Sequence, residues 1–233
     1  TTVICVDKTG TLTENRMTLT TAFLPGGEVT ISGVEEGKEA DFTRDGSPLN
    51  SETDPELRPF LEVGVLCNNV EKGGGGEEEK FLGDPTEIAL LEAGCRGGID
   101  RKRLLEKLPE VRESAFDPEI KMMATFHRLN GGFLAAVKGA PESVLDVCSR
   151  VRKDGEDRPL EGEEIARWKK RQEEMAEKGR RVMALARKQT SSREDDPYRD
   201  LTLLGLAGIH DPPRDDVRPA IERCRQAGVR TVM

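Results

Sequence analysis

Five residues near the amino terminus, Asp7-Lys8-Thr9-Gly10-Thr11, set a carboxylate beside a cation, two hydroxyls and a glycine, and Leu12-Thr13 follow at once. They come directly after Thr2-Val3-Ile4-Cys5-Val6, a short apolar and β-branched run of the kind that forms a strand buried on both faces. Ligands of open α/β sheets lie beyond the carboxyl ends of such strands, so a carboxylate at Asp7 could attack a phosphoryl group. Attack of one anion on another calls for a magnesium ion and for donors around the phosphate. Thr9 and Thr11 offer hydroxyls and backbone groups for that purpose, and Gly10 permits a tight turn. The plainer reading of the same string is a capped turn.

The rest of the composition narrows what that chemistry could serve. Among 233 residues, 44 acids outnumber 36 bases, and the net charge of -8 argues against broad binding to nucleic-acid backbones. An anionic ligand must therefore find a local basic pocket. No apolar run reaches the roughly 20 residues of a membrane-spanning helix, and the first residues lack the basic start and apolar stretch of a signal peptide. The five cysteines, Cys5, Cys67, Cys95, Cys148 and Cys224, are scattered without CxxC spacing, which indicates reduced thiols rather than a disulfide framework or zinc site. His127 and His210 lie far apart and suggest structural roles.

Both ends of the chain have the grammar of a parallel α/β unit. Residues 201–209 read as a strand, 216–226 as a helix with Val217, Ala220, Ile221 and Cys224 on one face, and 229–233 as a further strand, expected to close right-handed and parallel. The chain stops where a ligand-binding loop would follow in such a sheet, as a cut fragment would. The middle differs. Residues 121–128 and 132–138 flank Asn130-Gly131, a strong hairpin cue, so antiparallel pairing is expected. Asp84-Pro85-Thr86-Glu87 opens a helix with a cap, a first-turn proline and an acid three residues after the cap; Asp54-Pro55 opens another, and residues 161–178 form a third around Ile165, Trp168 and Met175. Residues 34–53, 71–79 and 189–200 are expected to be mobile loops. The run Gly73-Gly74-Gly75-Gly76 reads as a linker, because no Gly-Lys-Ser/Thr follows it and Glu77-Glu78-Glu79 would repel phosphate.

The chain resembles the P-type ATPases, the ion-pumping members of the haloacid dehalogenase superfamily, through six motifs in order. Asp7 to Thr13 is similar to the family's phosphorylation motif, Gly83 to Glu87 to its GDPTE segment, and Phe116, Lys121 and Met123 to its Phe-x4-Lys-x-Met adenine pocket. Lys138 to Glu142 resembles the KGAPE signature, Arg181 the nucleotide-contacting arginine, and Asp211-Pro212-Pro213-Arg214 the DPPR hinge. The resemblance implies an α/β chain in which a nucleotide-binding domain, a mixed and largely antiparallel sheet flanked by helices, is inserted into an incomplete Rossmann-like parallel α/β phosphorylation domain. The implied division is 1–18 and 202–233 for the phosphorylation domain and 19–201 for the nucleotide-binding domain.

It further implies that Asp7, with Lys8, Thr9 and Thr11, takes the γ-phosphoryl group of ATP. Asp7 and Thr9 would contribute to a Mg2+ site whose remaining ligands lie in later motifs, and Thr86, Glu87, Phe116, Lys121, Met123, Lys138, Gly139 and Arg181 would hold the nucleotide. The partners implied are ATP and the transmembrane and actuator domains of an integral membrane pump, with calcium the expected ion. This fragment would then be a monomeric, cytoplasmic, soluble piece that binds nucleotide without turnover. Residue chemistry alone agrees in part: Phe116 offers a π face for a base, and Lys121, Lys138 and Arg181 a local positive field. Each has a plainer reading, with Phe116 in the core, Lys121 solvated, Glu87 closing a capping box and Arg181 paired with acids of the preceding helix. Two other functions fit the leading aspartate. A dehalogenase-superfamily phosphatase would carry a second aspartate two residues on, where Thr9 stands, and a nucleotide-binding module without catalysis would use Asp7 only as a turn residue.

Overall fold

The computed structural model describes residues 1–14, 16–33, 41–73, 80–212 and 214–233, with the side chains of Thr9 and Lys80 also left undescribed. Strand β1 (Val3–Cys5) leads through one wide helical turn, Lys8–Leu12, into the meander β2 (Thr18–Leu24), β3 (Gly27–Ser32), β4 (Asp41–Arg44) and β5 (Ser47–Pro48). Helix α1 (Leu57–Leu66), the short pair β6 (Glu71–Gly73) and β7 (Lys80–Leu82), and helices α2 (Pro85–Arg96) and α3 (Arg101–Lys107) follow. Then come β8 (Glu110–Asp117), β9 (Met122–Leu129), β10 (Gly132–Gly139), α4 (Pro141–Val147), β11 (Cys148–Lys153), β12 (Glu156–Pro159) and α5 (Gly162–Glu177). The last elements are β13 (Arg181–Thr190), β14 (Leu201–His210), α6 (Val217–Gln226) and β15 (Arg230–Val232).

One large sheet runs β5-β4-β3-β2-β14-β13-β10-β9-β8, with β11 beside β14 and β12 outside β11. Its ladders are antiparallel except for β11 on β14, so the expected mixed, largely antiparallel sheet flanked by helices is what the chain forms. The Asn130-Gly131 hairpin closes β9 on β10, Leu129 opposite Gly132. Helices α1 and α2 cover one face over Leu61, Leu90 and Leu185, while α4 and α5 cover the other over Phe23, Leu145 and Trp168. Trp168 meets Phe23 edge to face at 5.0 Å.

Three expectations change. Residues 201–209 do form a strand, but β14 lies at the centre of the large sheet between β13 and β2 and does not pair with 229–233; β15 pairs in parallel with β1 instead. An unbroken apolar run suits a central antiparallel strand with helices on both faces as well as it suits a parallel one. Strand β1 is not buried on both faces: among the described residues it has β15 as its one strand partner, and Val3 is 47% exposed. Residues 34–53 are not wholly loop, since β4 and β5 form a hairpin at Asp45-Gly46, both in left-handed backbone (φ 51° and 77°), with Phe42 buried beneath. The linker residues 74–79 lie outside the described residues.

Helix α2 starts as expected: the Asp84 carboxylate accepts from the Thr86 amide at 2.8 Å and from the Thr86 hydroxyl, with Pro85 in the first turn. Glu87 closes no capping box, because its two oxygens are bonded elsewhere. Among the described residues, no helix is long and apolar enough to cross a membrane.

Candidate functional site

The ends of β8 and β10 and the starts of β9 and β13 meet at one edge of the large sheet. Between them lies a cleft of about 220 Å3 lined by Phe116, Lys121, Lys138, Gly139, Ala140, Arg181, Val182 and Met183. That volume falls below the roughly 300–1,000 Å3 of pockets that enclose a whole drug-sized ligand, so the cleft suits a planar base-sized group whose remainder stays outside. Phe116 is 60% exposed, which excludes the core reading for it and leaves a ring face available to a ligand.

Lys138 is the opposite case, 4% exposed at the end of β10. Its ammonium donates to the Cys67 carbonyl at 2.5 Å and to Glu87 Oε1 at 2.5 Å. A buried charge is tolerated only when paired and hydrogen bonded, and both conditions hold here. Glu87 Oε2 accepts from the Asn69 amide at 3.0 Å, while Asn68 Nδ2 donates to the carbonyls of Gly64 and Glu87, tying the end of α1 to the start of α2. Burial pushes the adjacent Cys67 thiol up to about 11, against the pull of Lys138.

Burial also opposes ionisation of Asp84, but hydrogen bonds from the Thr86 hydroxyl and from the Thr86 and Glu87 amides, with the charge of Arg181, hold its pKa below the usual value. Among the described residues Arg181 makes no ion pair within 4 Å, so there its expected plain role as a partner of the preceding helix is not seen. Lys121 adopts left-handed backbone (φ 54°) and reaches Glu142 at 3.2 Å on the surface. Gly139 has a structural reason: a Cβ there would lie 2.5 Å from the Lys121 carbonyl oxygen and 2.7 Å from Met122 Cγ.

The structure thus gathers Phe116, Lys121, Lys138, Gly139 and Arg181, with Glu87 bonded behind them. Met123 is 2% exposed in the core packed under α1, and Thr86 is buried with its hydroxyl on Asp84; neither lines the cleft. Ala140 lies inside the Lys138 to Glu142 signature; sequence reasoning missed Val182 and Met183, one and two residues beyond Arg181, and Asn69, which carried no signal.

Asp7 is exposed, does not line that cleft, and accepts from the Lys8 amide at 2.7 Å. Thr11 lines a second cleft of about 220 Å3 beneath α6, with Ile4, Val6, Leu12, Arg214 and Ile221. The side chain of Thr9 and all of Pro213 lie outside the described residues. Two chain segments meet below Asp7: the Thr13 hydroxyl donates to Asp211 Oδ2 at 2.6 Å, and the Arg16 amide donates to Asp211 Oδ1 at 3.3 Å. Arg214 returns the contact, its amide donating to the Leu12 carbonyl and its Nε to the Thr13 carbonyl. Among the described residues, no group of three His, Cys, Asp or Glu is placed to hold a metal ion.

Residues 56–216 match the family model described as P-type ATPase, cytoplasmic domain N, and the chain belongs to that family. It is also similar to Calcium-transporting ATPase lmo0841 of Listeria monocytogenes serovar 1/2a (strain ATCC BAA-679 / EGD-e), 35% identical over 238 residues, covering 100% of this chain and 25% of that protein. Calcium-transporting ATPase of Bacillus subtilis (strain 168) is 34% identical over 238 residues, covering 99% of the chain and 26% of the relative. Calcium-transporting ATPase 1 of Lactococcus lactis subsp. lactis (strain IL1403) is 33% identical over 237 residues, covering 100% and 25%. The chain spans about a quarter of the length of these curated relatives.

Proposed function

We propose that the chain binds ATP in the cleft at the edge of the large sheet and serves as the nucleotide-binding part of a cation pump. One observation carries this reading: the exposed face of Phe116 looks onto a base-sized cleft that Lys121, Lys138 and Arg181 also line. Adenine stacks on Phe116, worth roughly 1–3 kcal/mol by analogy with bases on aromatic platforms. The cations hold the phosphate-bearing side, with the Lys138 charge shared between Glu87 and the ligand. Stacking plus two or three charge-assisted contacts of about 1.5–3 kcal/mol each, less an association cost of at least about 4 kcal/mol, leaves at most about 8 kcal/mol, an affinity no tighter than about micromolar and centred near millimolar. Titration of the chain with ATP, beside Phe116→Ala, tests it.

In the whole pump, an Asp7 carboxylate oxygen attacks the γ-phosphorus, the bond from that phosphorus to the β–γ bridging oxygen breaks, and ADP leaves. Water then hydrolyses the aspartyl phosphate, and the alternation of the two states drives cation transport. Calcium is the proposed ion, in keeping with the names of the relatives above. Such transfer uses Mg2+, which would supply charge neutralisation between the nucleophile and the phosphates. The described residues do not fit a magnesium site, since they offer the Asp7 carboxylate and no cluster around it, so no step is derived through the ion and the chain by itself is assigned binding alone.

We further propose two units joined by a hinge, with residues 1–17 and 211–233 forming one and 18–210 the other. Placing the second boundary after β14 is supported by the hydrogen bonding of that strand between β2 and β13. Asp211, Pro212 and Arg214 act as the hinge, clasping the first crossing of the chain through Thr13 and Arg16. The transmembrane and actuator parts of a membrane-embedded pump are its proposed partners.

A further inference from the structure

At the other end of β13 from the Phe116 cleft, six residues beyond Arg181 and about 20 Å away at ~3.3 Å per strand residue, the large sheet carries a second polar cavity. Its volume is about 400 Å3, and Arg150, Arg152, Asp157, Arg187, Lys188 and Thr202 stand in its wall, with Gln189, Asp195 and Asp200 beside them. Three of these are consecutive cross-strand neighbours: Arg150 on β11 is in register with Thr202 on β14, and Thr202 with Arg187 on β13. Arg152, two residues along β11 from Arg150, is in register with Asp157 on β12. Like charges placed this close on one sheet face repel, so the arrangement asks for an anion between them.

The acids present do not meet that demand. Asp157 is shared by two guanidiniums, at 2.8 Å from Arg152 and 3.8 Å from Arg187, and it also accepts from the Thr202 hydroxyl at 3.3 Å. Asp195 is taken by Lys188 at 3.0 Å and the Thr190 hydroxyl at 2.9 Å. Asp200 stands in the wall with no ion pair among the described residues, and so does Arg150. The Arg187 side chain is 19% exposed and donates no hydrogen bond among the described residues, and the buried Nε of Arg152 likewise has no acceptor. Glu62, whose charge also reaches Arg187, is paired with Arg58 at 2.8 Å. Burial together with the charge of Arg152 draws the Arg187 pKa down, the direction expected for an under-compensated cation.

We infer that this cavity binds a dianionic phosphoryl group, with the forks of Arg187 and Arg152 on its oxygens and Arg150 and the Thr202 hydroxyl at its flank. Guanidinium forks match two phosphoryl oxygens at once, which a single shared carboxylate at 3.8 Å does not replace. The volume lies within the roughly 300–1,000 Å3 of small-molecule pockets, so there is room for a small organic group beyond the phosphoryl. The inference is independent of the nucleotide reading, because none of its residues lines the Phe116 cleft.

The test is NMR titration of the isotopically labelled 233-residue chain with inorganic phosphate, with glycerol phosphate and with ATP, each against sodium chloride of equal ionic strength. Saturable shifts at the amides of Arg150, Arg187 and Thr202 are expected with phosphate and glycerol phosphate. The dissociation constant should rise about tenfold in Arg187→Gln, rise several-fold in Arg150→Gln, and hold in Phe116→Ala. Stronger binding of glycerol phosphate than of phosphate points to an organic ester as the ligand, and equal binding points to the free ion. Arg150 is exposed and has no ion pair among the described residues, which makes Arg150→Gln decisive if Arg187→Gln misfolds. Shifts matched by sodium chloride, phosphate shifts confined to the Phe116 cleft, or unchanged affinity in Arg150→Gln would overturn the inference.

Discussion

Lys138 at the end of β10 and Glu87 in the first turn of α2, 51 residues apart, share a 2.5 Å ion pair behind the Phe116 cleft. The pair ties the helix layer to the sheet at a residue, Lys138, that also lines the cleft. Its members depend on each other: removing one partner of a buried pair leaves an uncompensated charge. Glu87→Gln should therefore lower stability by about 3–5 kcal/mol, and Lys138→Met should cost less when combined with Glu87→Gln than when made alone. Urea unfolding of the three variants checks this, and additive costs would contradict it.

The hydrogen bond between Thr13 and Asp211 joins chain segments 198 residues apart. Asp211→Asn keeps the shape but weakens a charge-assisted bond, an effect of about 1–2 kcal/mol on local opening. Amide exchange at Arg16, Arg214 and Gly10 should speed by about tenfold while the amides of β14 keep their rates. Uniform acceleration across β14 would show a global role instead.

His127 gives the stability a pH dependence. Its Nδ1 lies 3.0 Å from the Leu108 carbonyl and donates to it in the neutral ring, which leaves Nε2 as an acceptor 2.8 Å from the Thr125 hydroxyl, whose one proton is shared between Nε2 and the Leu66 carbonyl at 3.2 Å. Burial holds its pKa below the ordinary 6.5, against the bonds to Leu108 and Leu66. The unfolded chain then takes up a proton first, so stability is full above about pH 6.5 and falls as pH drops toward the lower folded value. Urea midpoints at about pH 7.5 and 5.5 should differ, and His127→Gln should narrow the gap. An unchanged gap in His127→Gln would assign the dependence to other groups.

Much of this was legible in local chemistry. Asn130-Gly131 marked its hairpin because the two-residue turn needs left-handed backbone at Gly131 (φ 89°), and Asp84-Pro85 marked the start of α2 because a carboxylate meets free amides there. Asp45-Gly46 and Asp154-Gly155 carry the same hairpin signal, yet the short strands beside them are polar enough to pass for loops. The run 201–209 was misplaced because a strand covered on both faces loses the alternation that reports its neighbours. At the candidate site, Phe116 and Arg181 were legible as types, but the Lys138–Glu87 pair is a tertiary contact with no periodicity to announce it. Met123 sits in the core because its strand partner Lys138 points into the layer under α1, toward Cys67 and Glu87.

Thiol chemistry should follow burial. Cys67 is pushed up to about 11 and Cys148 to about 12 by burial, so both remain protonated and inert at neutral pH, whereas Cys5 is exposed beside the Asp7 turn. Alkylation of the native chain followed by peptide mass spectrometry should find Cys5 modified well before Cys67 or Cys148. Early modification of Cys148 would mean that α4 and β11 open readily.

Calorimetric titration of the 233-residue chain with ATP, repeated with Phe116→Ala, addresses the nucleotide cleft most directly. Binding in the micromolar to millimolar range that weakens by about 1–3 kcal/mol, roughly 5- to 150-fold, on loss of the ring is the expected result. ATP bound equally well by a folded Phe116→Ala chain, or not bound at all by the folded parent chain, would contradict it.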